Sequence, residues 1–467
     1  MKKILTALLP PSLLLMMIIT QCQQNGPTQE EKIPVEQLIQ DFDSLWIHFD
    51  ELYPYFQYKS IDWNAAYNRV IPGVETASTY SELTALCVDM LRPLRDFHIY
   101  FQTPDNEYIA TYQPDYHRNY NLILLKEYLQ DKGLQVFQDV WGYCFLDSIP
   151  YVVIYQWDID RFDIGQFDTV FERFKSSPAM IIDVRMNNGG NSSLADAVAE
   201  RFTDKVRIYQ YCQRRNGPGY SDFTELTGEY ISPRGPWLYH RPVALLCGRD
   251  CMSSTEHFIN AMAELPHIAL IGDTTAGAKG NPVRFQFQDG TDYWVPRFIY
   301  YRTDMTVIEW NGIPPDLLVK TSDGDFMSGH DPVLDYALQW TKDNKAEVLP
   351  ESTPSVEPDT IPPVVITTNP ENNAQQVDPD LDVIQIGFSE FIHPSYSWCS
   401  DPDEKEKFPE VTGNPCLLDP VTACLPVQLE ENREYVLWLN YGPYDGFKDI
   451  AGNALLPYRL TFRTGSR

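Results

Sequence analysis

The chain has 467 residues and a formal net charge of −29 at pH 7, with 36 Lys and Arg against 65 Asp and Glu. Its length allows about three domains with large buried cores. Nucleic-acid binding depends on Lys and Arg that neutralise phosphates, so the acidic balance argues against a nucleic-acid partner. The Cys and His spacing does not resemble a zinc site, and we expect no metal ion or other cofactor.

The first segment has the pattern of an export signal. Met1-Lys2-Lys3 gives a basic start, and residues 4–20 are almost wholly apolar and end shortly before Cys22. Residues 1–22 therefore resemble a bacterial lipoprotein signal, in which the cysteine is acylated and becomes the mature N-terminus. We expect a cell-envelope protein, in the periplasm or on the outer membrane, anchored to the membrane through Cys22. A cleaved signal with a spare cysteine is the alternative.

The next region has the apolar spacing of helices. Apolar residues recur at helical intervals over residues 33–53, and Asp62 stands where it can cap a second helix. Thr79 and Glu82 have the capping-box spacing that begins a third helix. The sequence therefore predicts a helical bundle over residues 23–99.

Apolar runs and amphipathic segments then alternate along the chain. Strands are predicted over residues 180–184, 243–247 and 268–271, and helices over residues 192–202, 253–264 and 331–342. Alternation of this kind predicts parallel strands joined by right-handed crossovers. We therefore expect an α/β core over residues 100–344, with ligands bound at the carboxyl ends of its strands.

The composition changes towards the C-terminus. Residues 345–361 are rich in Pro, Glu, Ser and Thr, which is typical of an interdomain linker. Beyond them, apolar residues alternate with a period of two, as at Ile384, Ile386 and Phe388. This pattern predicts a β-sandwich over residues 362–467. The segment resembles a bacterial Ig-like domain of exported proteins, which implies a role in spacing or weak adhesion.

Exported proteins can form disulfides, and two groups of cysteines are candidates. Cys399, Cys416 and Cys424 are close together in sequence, so at most one pair can form among them. Cys247 and Cys251 could be joined to each other or packed as free thiols, and both alternatives stay open.

Ser253 lies where the strand over residues 243–247 gives way to a helix, and we consider it a candidate nucleophile. The first N–H groups of a helix have no intrahelical partner, and the helix dipole is positive there. Such a place can stabilise an oxyanion. Ser253 and Glu256 also have the spacing of a capping box, and taken alone this pattern favours a structural cap.

Several residues could activate a serine at this position. His98 follows the helical region, and His257 lies one helical turn after Ser253 and could lean back over it. Lys279 follows a later strand and could act as the base of a Ser-Lys pair. Glu309 is a candidate for the carboxylate that orients a histidine base.

The backbone around a glycine pair could supply the oxyanion donors. Gly189 and Gly190 follow the predicted strand over residues 180–184, and consecutive glycines can present N–H groups to a ligand. We expect the N–H groups near Gly189, Gly190 and Ser254 to form an oxyanion hole. A plain turn between strand and helix is the alternative.

Five motifs in order resemble a known set: Leu94-Arg95-Asp96-Phe97-His98, Asp183-x-Arg185-x-Asn187-x-Gly189-Gly190, Ser253-Ser254-Thr255-Glu256, Gly272-Asp273-x-Thr275-x-Gly277 and Glu309-x-x-Gly312-Ile313-Pro314-Pro315-Asp316. Over residues 35–343 they are similar to the serine peptidases related to the C-terminal processing peptidases and the tricorn protease core. The resemblance implies a ClpP/crotonase-like fold and a peptide or protein substrate. It also implies Ser253 as nucleophile, His98 as base and Glu309 as orienting carboxylate.

The sequence departs from this family at several positions. The processing-peptidase branch uses a lysine and a later glutamine, whereas here Ala278 precedes Lys279 and Val283 stands in place of the glutamine. The resemblance therefore favours the histidine branch. Phe97 and Trp310 replace residues that are usually small, and both are expected to narrow the cleft.

The sequence thus predicts an exported serine endopeptidase that cleaves peptides or proteins through a Ser-His-Glu arrangement. One alternative is a catalytically silent lipoprotein that binds peptides or another ligand on the same fold. Another is a surface adhesin whose working part is the Ig-like domain. The sequence does not indicate an oligomeric state.

Overall fold

The computed structural model describes residues 32–346, 362–389, 392, 395–419, 421–449 and 452–466. The predicted signal with Cys22 and most of the predicted linker over residues 345–361 lie outside these residues. In the part of the chain that is described, every helix is too short or too polar to span a membrane.

Helices occupy the start of the described chain: α1 (Val35–Leu52), α2 (Trp63–Val74), α3 (Tyr80–Leu91) and a short 3-10 helix (Arg92–Leu94). Asp62 caps α2 as predicted, because its carboxylate accepts from the N–H of Ala65. Thr79 likewise caps α3 by accepting from the N–H of Glu82. The Glu82 carboxylate accepts from the N–H of Ser78 at 2.7 Å. The second hydrogen bond of the predicted capping box therefore comes from the N–H of Ser78 instead of the N–H of Thr79.

The next elements follow in chain order: β1 (Tyr100–Gln102), β2 (Tyr108–Ala110), α4 (Leu122–Asp131), β3 (Gln135–Phe137), β4 (Trp141–Leu146), β5 (Ile149–Ile154), α5 (Ile164–Phe171), β6 (Met180–Asp183), α6 (Ser192–Ala199), β7 (Arg207–Arg214) and β8 (Thr227–Ile231). They are followed by β9 (Val243–Cys247), α7 (Ser254–Ala263), β10 (Ile268–Gly272), β11 (Val283–Gln286), β12 (Asp292–Val295), β13 (Phe298–Arg302), β14 (Leu317–Leu318), α8 (Asp323–Met327) and α9 (Pro332–Asn344).

A seven-stranded sheet in the order β14-β10-β9-β6-β5-β4-β3 forms the centre of the α/β core. Strands β5, β6, β9, β10 and β14 are parallel, and β3 and β4 extend the sheet as antiparallel strands. Apolar side chains of α5, α6 and α7 pack on one face, and those of α9 pack on the other. Because β6, β9 and β10 are parallel neighbours, the loops that follow them meet at one edge of the sheet.

The helical region shares its apolar core with strands from much later in the chain. The four-stranded sheet β11-β12-β1-β2 packs against α1 to α3, so that Phe42 and Leu45 belong to the same buried cluster as Phe101 and Tyr293. His98 lies between this helical region and β1 and is therefore held by both. A third sheet, β13-β7-β8, completes the core.

A β-sandwich follows at the C-terminus, with strands β15 (Val365–Asn369), β16 (Ala374–Val377), β17 (Val383–Phe388), β18 (Trp398–Ser400), β19 (Glu410–Val411), β20 (Cys416–Asp419), β21 (Thr422–Gln428), β22 (Glu434–Leu439) and β23 (Tyr458–Thr464). Five strands form one sheet and four the other. Ile384, Ile386 and Phe388 are buried, which agrees with the alternation seen in the sequence. A disulfide joins Cys416 to Cys424.

Arg185 is a fully buried cation at the end of β6. Its guanidinium donates to Asp183 at 2.7 Å and to both carboxylate oxygens of Asp331 at 2.9 Å. A further bond at 2.9 Å reaches the carbonyl of Asn119. Asp331 also caps α9, because it accepts from the N–H of Leu334 at 3.0 Å. The Asp183-x-Arg185 part of the second motif therefore ties the last core helix to the central sheet.

Replacing Arg185 with Met should lower the free energy of unfolding by about 3–5 kcal/mol, because it leaves Asp183 and Asp331 buried without a counter-charge. Denaturant unfolding followed by tryptophan fluorescence measures the change. Arg161 is a matched control, since its ion pair with Asp158 is exposed, and Arg161→Met should cost less than about 1 kcal/mol. Similar losses in the two variants would contradict the structural role of Arg185.

Candidate active site

Ser253 lies between β9 and α7 in a backbone conformation that residues other than glycine rarely adopt. Its φ is 56° and its ψ is −121°. Its carbonyl accepts the first helical bond, from His257 at 3.1 Å, and its N–H donates to Ala278 at 2.8 Å. Its side chain makes no capping bond, so the structural-cap interpretation of the sequence is wrong. Within the described residues the hydroxyl has no hydrogen-bond partner, and the backbone conformation costs about 1–3 kcal/mol, which is a pattern found at functional sites.

Glu256 has a different partner from the one its sequence spacing predicts. Its buried carboxylate accepts from the Thr275 hydroxyl at 2.5 Å and from the N–H groups of Gly277 and Ala278 at 2.8 and 2.9 Å. Burial raises the pKa of Glu256, and these donors oppose the rise. Because Ala278 also accepts from Ser253, Glu256 holds this loop against the first turn of α7.

The glycine pair after β6 lies directly against Ser253. Gly189 has a φ of 111°, and a Cβ at this position would lie 2.8 Å from the Cβ of Ser253. Its N–H donates to the Asn187 side chain at 2.9 Å and is therefore already engaged. The N–H groups of Gly190 and Ser254, by contrast, have no acceptor in the described parts of the chain. Of the three expected oxyanion donors, these two are free.

Ser254 differs from Ser253 in its side chain. The Ser254 hydroxyl donates to the carbonyl of Gly190 at 2.6 Å and is buried. This bond holds the glycine loop against α7 and leaves Ser253 as the serine with a free hydroxyl. The arrangement favours Ser253 as the nucleophile, in agreement with the motif.

His98 has one ring nitrogen buried without a partner. Its side chain is 12% exposed, and its Nδ1 lies 4.0 Å from the nearer carboxylate oxygen of Asp96. Among the described residues this Nδ1 has no hydrogen-bond partner. The same Asp96 oxygen accepts from the backbone N–H of His98 at 2.9 Å. Burial and the charge of Lys59 lower the pKa of His98, while Asp96 opposes this. The neutral ring that results can accept a proton.

Lys59 is a site residue that the sequence reasoning missed. Its fully buried ammonium lies 2.5 Å from Glu309 and 3.6 Å from Asp96. Three aromatic rings also surround it, with centroids 5.6, 5.2 and 5.0 Å away: Tyr53, Tyr55 and Trp310. A buried cation between two carboxylates is stabilised by both. The aromatic run that contains Lys59, Tyr-Pro-Tyr-Phe-Gln-Tyr-Lys, was the available signal in the sequence.

Glu309 does not make the contact with His98 that was expected of it. Its carboxylate binds Lys59 and also accepts from the N–H of Lys279 at 3.3 Å. Within the described ranges no hydrogen bond or ion pair joins it to His98, because Lys59 lies between Glu309 and Asp96. Burial and the charge of Asp96 raise the pKa of Glu309, and Lys59 opposes the rise. Asp96 is therefore the carboxylate beside the histidine.

The side chains of the two other candidate bases are bound to residues other than Ser253. The Lys279 ammonium donates to the side-chain carbonyl of Gln210, and burial lowers the pKa of Lys279 to about 8. The His257 ring contacts the Tyr209 hydroxyl and the Gln210 amide. For the residues described here, neither side chain is hydrogen-bonded to Ser253. Both side chains therefore belong to one buried polar network that also contains Tyr209 and Gln210.

The loops that carry the expected catalytic residues surround one cavity of about 430 Å³. Phe97 precedes His98, Gly277 belongs to the loop bound to Ser253, and all these loops contribute to its lining together with Trp310. The indole N–H of Trp310 donates to the carbonyl of Arg95 at 3.2 Å. The two bulky residues therefore form walls of an open cleft instead of filling it.

Ser253 and His98 are not hydrogen-bonded to each other in the described chain. Such bonds are often long in substrate-free sites and tighten when a substrate binds. The structure thus places the loops that carry these residues around one cleft, and the hydrogen bond for proton transfer is not formed between the two described side chains.

The cysteines beside Ser253 are free thiols. Cys247 and Cys251 are buried and not joined, and the Cys251 thiol donates to the carbonyl of Val184 at 3.1 Å. Burial raises the pKa of both thiols. Of the two alternatives left by the sequence, packed thiols are correct. The described residues contain no group of His, Cys, Asp and Glu side chains arranged to hold a metal ion.

Comparison with known families agrees with this geometry. Residues 148–319 match peptidase family S41, residues 34–92 match the tricorn protease C1 domain, and residues 359–464 match a bacterial Ig-like domain. The chain carries a serine-peptidase domain of family S41. Ser253 and Glu309 lie inside the S41 range, whereas His98 lies between this range and the tricorn C1 range.

Two curated relatives are similar to parts of the chain. The tricorn protease of Thermoplasma acidophilum is 25% identical over 190 residues, which cover 39% of this chain and 16% of that protein. The carboxy-terminal processing protease CtpB of Bacillus subtilis is 24% identical over 149 residues, which cover 32% of this chain and 29% of that protein. The chain therefore matches only a minor part of either relative.

Solved structures resemble a larger part of this chain. A protein from Parabacteroides merdae has a TM-score of 0.59 and 28% identity, and the match covers 65% of this chain and 96% of that one. Mature CPAF has a TM-score of 0.51 and 13% identity, with coverage of 68% and 99%. The second likeness concerns the fold alone.

Replacing Gly189 with Ala should disturb the site, because the new Cβ would collide with Ser253 and the φ of 111° is unfavourable for alanine. We expect the rate at which a fluorophosphonate labels Ser253 to fall at least about tenfold, corresponding to a misplacement costing about 1.4 kcal/mol. Gly133→Ala is the control, since Gly133 also has a positive φ, of 73°, but open space around it. Equal labelling rates in the two variants would contradict the prediction.

Proposed function

We propose that this protein is an exported serine endopeptidase that cleaves peptides or proteins, with Ser253 as nucleophile and His98 as general base. The proposal rests on the conformation of Ser253. Among the described residues its hydroxyl makes no hydrogen bond, and the N–H groups of Gly190, in the loop packed against Ser253, and of the next residue, Ser254, have no acceptor. A nucleophile beside two free donors is the arrangement that acyl transfer requires.

In the proposed reaction, the Ser253 oxygen attacks the peptide carbonyl carbon while His98 takes the hydroxyl proton. The carbonyl oxygen becomes an oxyanion that accepts hydrogen bonds from the N–H groups of Gly190 and Ser254. Collapse of this intermediate breaks the C–N bond, and His98 gives the proton to the leaving amine. Water then attacks the ester with His98 again as base, which releases the acid and restores Ser253.

In this proposal, Glu309 does not contact His98 directly but acts on it through other residues. Asp96 lies next to the Nδ1 of His98 and would stabilise the imidazolium that forms during attack. Lys59 balances the charge of Asp96, and Glu309 in turn holds Lys59 in place. Glu309 is thus a positioning residue that reaches His98 through Lys59 and Asp96.

The domain division and the location of the protein belong to the same proposal. We assign five segments: signal 1–22, helical region 23–99, peptidase core 100–344, linker 345–361 and Ig-like domain 362–467. The core would be a ClpP/crotonase-like fold, and Cys22 would carry a lipid that anchors the protein in the cell envelope. The match to a bacterial Ig-like domain is compatible with an envelope protein and supports a spacing role for that domain.

Replacing Ser253 with Ala should lower peptide hydrolysis by about a thousandfold or more and abolish fluorophosphonate labelling, because the nucleophile is removed. Ser254→Ala is the matched control, and it should keep labelling while losing one buried hydrogen bond. Mixed peptide libraries and gel-based labelling measure both effects. Labelling that persists in Ser253→Ala and vanishes in Ser254→Ala would refute Ser253 as the nucleophile. A wild-type protein that binds peptides without cleaving any would favour the silent alternative.

Removing the charge of Lys59 and removing that of Asp96 should shift the pH dependence of kcat/KM in opposite directions. The acidic limb of kcat/KM reports the pKa of the base in the free enzyme. Lys59 lowers the pKa of His98 and Asp96 raises it, so Lys59→Met should move this limb to higher pH and Asp96→Asn to lower pH. Both variants should also lower kcat by roughly tenfold or more.

Tyr55→Phe provides the control for general damage to this region. The Tyr55 hydroxyl donates to the carbonyls of Lys279 and Phe298 at 2.9 Å, so its removal disturbs the same packing without removing a charge. The acidic limb should stay in place in this variant. If Lys59→Met and Asp96→Asn shift the acidic limb of kcat/KM in the same direction, the proposed charge network is contradicted.

A further inference from the structure

A second, larger cavity adjoins the cleft beside the proposed catalytic loops. Arg95 and Arg249 line the cleft of about 430 Å³. Arg69, Arg92 and Arg95 line the neighbouring cavity of about 820 Å³. Arg95 and Tyr112 line both, so the two cavities are adjacent, and we treat them together as one groove. We call it the arginine groove and define it by Arg69, Arg92, Arg95 and Arg249.

Carboxylates neutralise only part of the charge in the arginine groove. Asp89 lies 3.1 Å from Arg92 and 3.9 Å from Arg69, so one carboxylate serves two guanidiniums. Arg249 lies 3.6 Å from Asp273. In the chain as described, Arg95 has no carboxylate partner. The groove is therefore a local positive region on a protein whose net charge is −29.

Arg95 is fixed at the junction of the two cavities. Its backbone adopts a left-handed φ of 47° at the end of the 3-10 helix, and its carbonyl accepts from the Trp310 indole at 3.2 Å. It stands three residues before His98. Its guanidinium, which has no carboxylate partner among the described residues, therefore lines the cleft on the same loop that carries the proposed general base.

Resting on the proposed peptidase function, we propose that the arginine groove binds Asp and Glu side chains of the substrate and directs cleavage to sites flanked by acidic residues. Guanidinium groups bind carboxylates through paired, charge-assisted hydrogen bonds. The terminal carboxylate of a peptide has the same chemistry, but the groove carries arginines in both cavities and therefore suits several carboxylates along one peptide.

The test compares matched internally quenched peptides, blocked at both ends, that carry either Glu or Gln around the scissile bond. The full mature chain should cleave the Glu peptides with a kcat/KM about tenfold higher, which corresponds to about 1.4 kcal/mol of binding in the transition state. The ratio should fall towards one in Arg95→Gln combined with Arg249→Gln. Raising the ionic strength should also reduce it, because salt screens exposed charges.

Arg284→Gln is the control, since Arg284 is exposed, lies 3.5 Å from Asp292 and is absent from the groove lining. It should leave the Glu-to-Gln ratio unchanged. A wild-type ratio near one, or a ratio that survives the double replacement, would overturn the proposal. A preference for free-acid over amide termini without any difference between Glu and Gln would also overturn it, since the groove would then bind a chain end.

A separate measurement distinguishes failure of this proposal from failure of the peptidase function. Fluorescence anisotropy of labelled Glu and Gln peptides with the Ser253→Ala protein reports binding without requiring cleavage. Preferential binding of the Glu peptide that is lost in the arginine variants would support the groove even if the wild type cleaves nothing. Equal binding of both peptides would refute the groove even if cleavage is efficient.

Discussion

A buried ammonium group between two carboxylates joins the parts of this site. Lys59 comes from the helical region, Glu309 from a loop near the end of the core, and Asp96 from the segment that carries His98. Burying one of these charges without the others would be costly, so the three must be assembled together. The position of the histidine therefore depends on an ion pair between residues 250 positions apart in sequence.

The proposed nucleophile, Ser253, is held by a second set of long-range contacts. Glu256 accepts three hydrogen bonds from the loop that also binds the Ser253 N–H, and the glycine loop after β6 packs against the same serine. These contacts compensate for the unusual backbone conformation of Ser253. The free hydroxyl is a result of the loops around it and not of the helix that it begins.

Much of the fold could be predicted because its signals are local. The apolar runs of β6, β9 and β10 and the caps at Asp62 and Thr79 depend on neighbouring residues, and the structure has them. The candidate nucleophile and base followed from the order of motifs. Contacts between distant residues could not be predicted: Glu256 has the spacing of a cap but binds another loop, and nothing near Lys59 indicates Glu309 as its partner.

His98 lies outside the range that matches peptidase family S41, and the helices that precede it share their core with strands β11, β12 and β13, which lie inside that range. In the proposed mechanism, the range that matches family S41 therefore lacks its general base. A polypeptide that has folded only from residue 148 onward would contain the serine and the glycine loop but no histidine base. If His98 acts as proposed, hydrolysis begins only once the helical region has packed against these strands, and a partly folded chain stays inert.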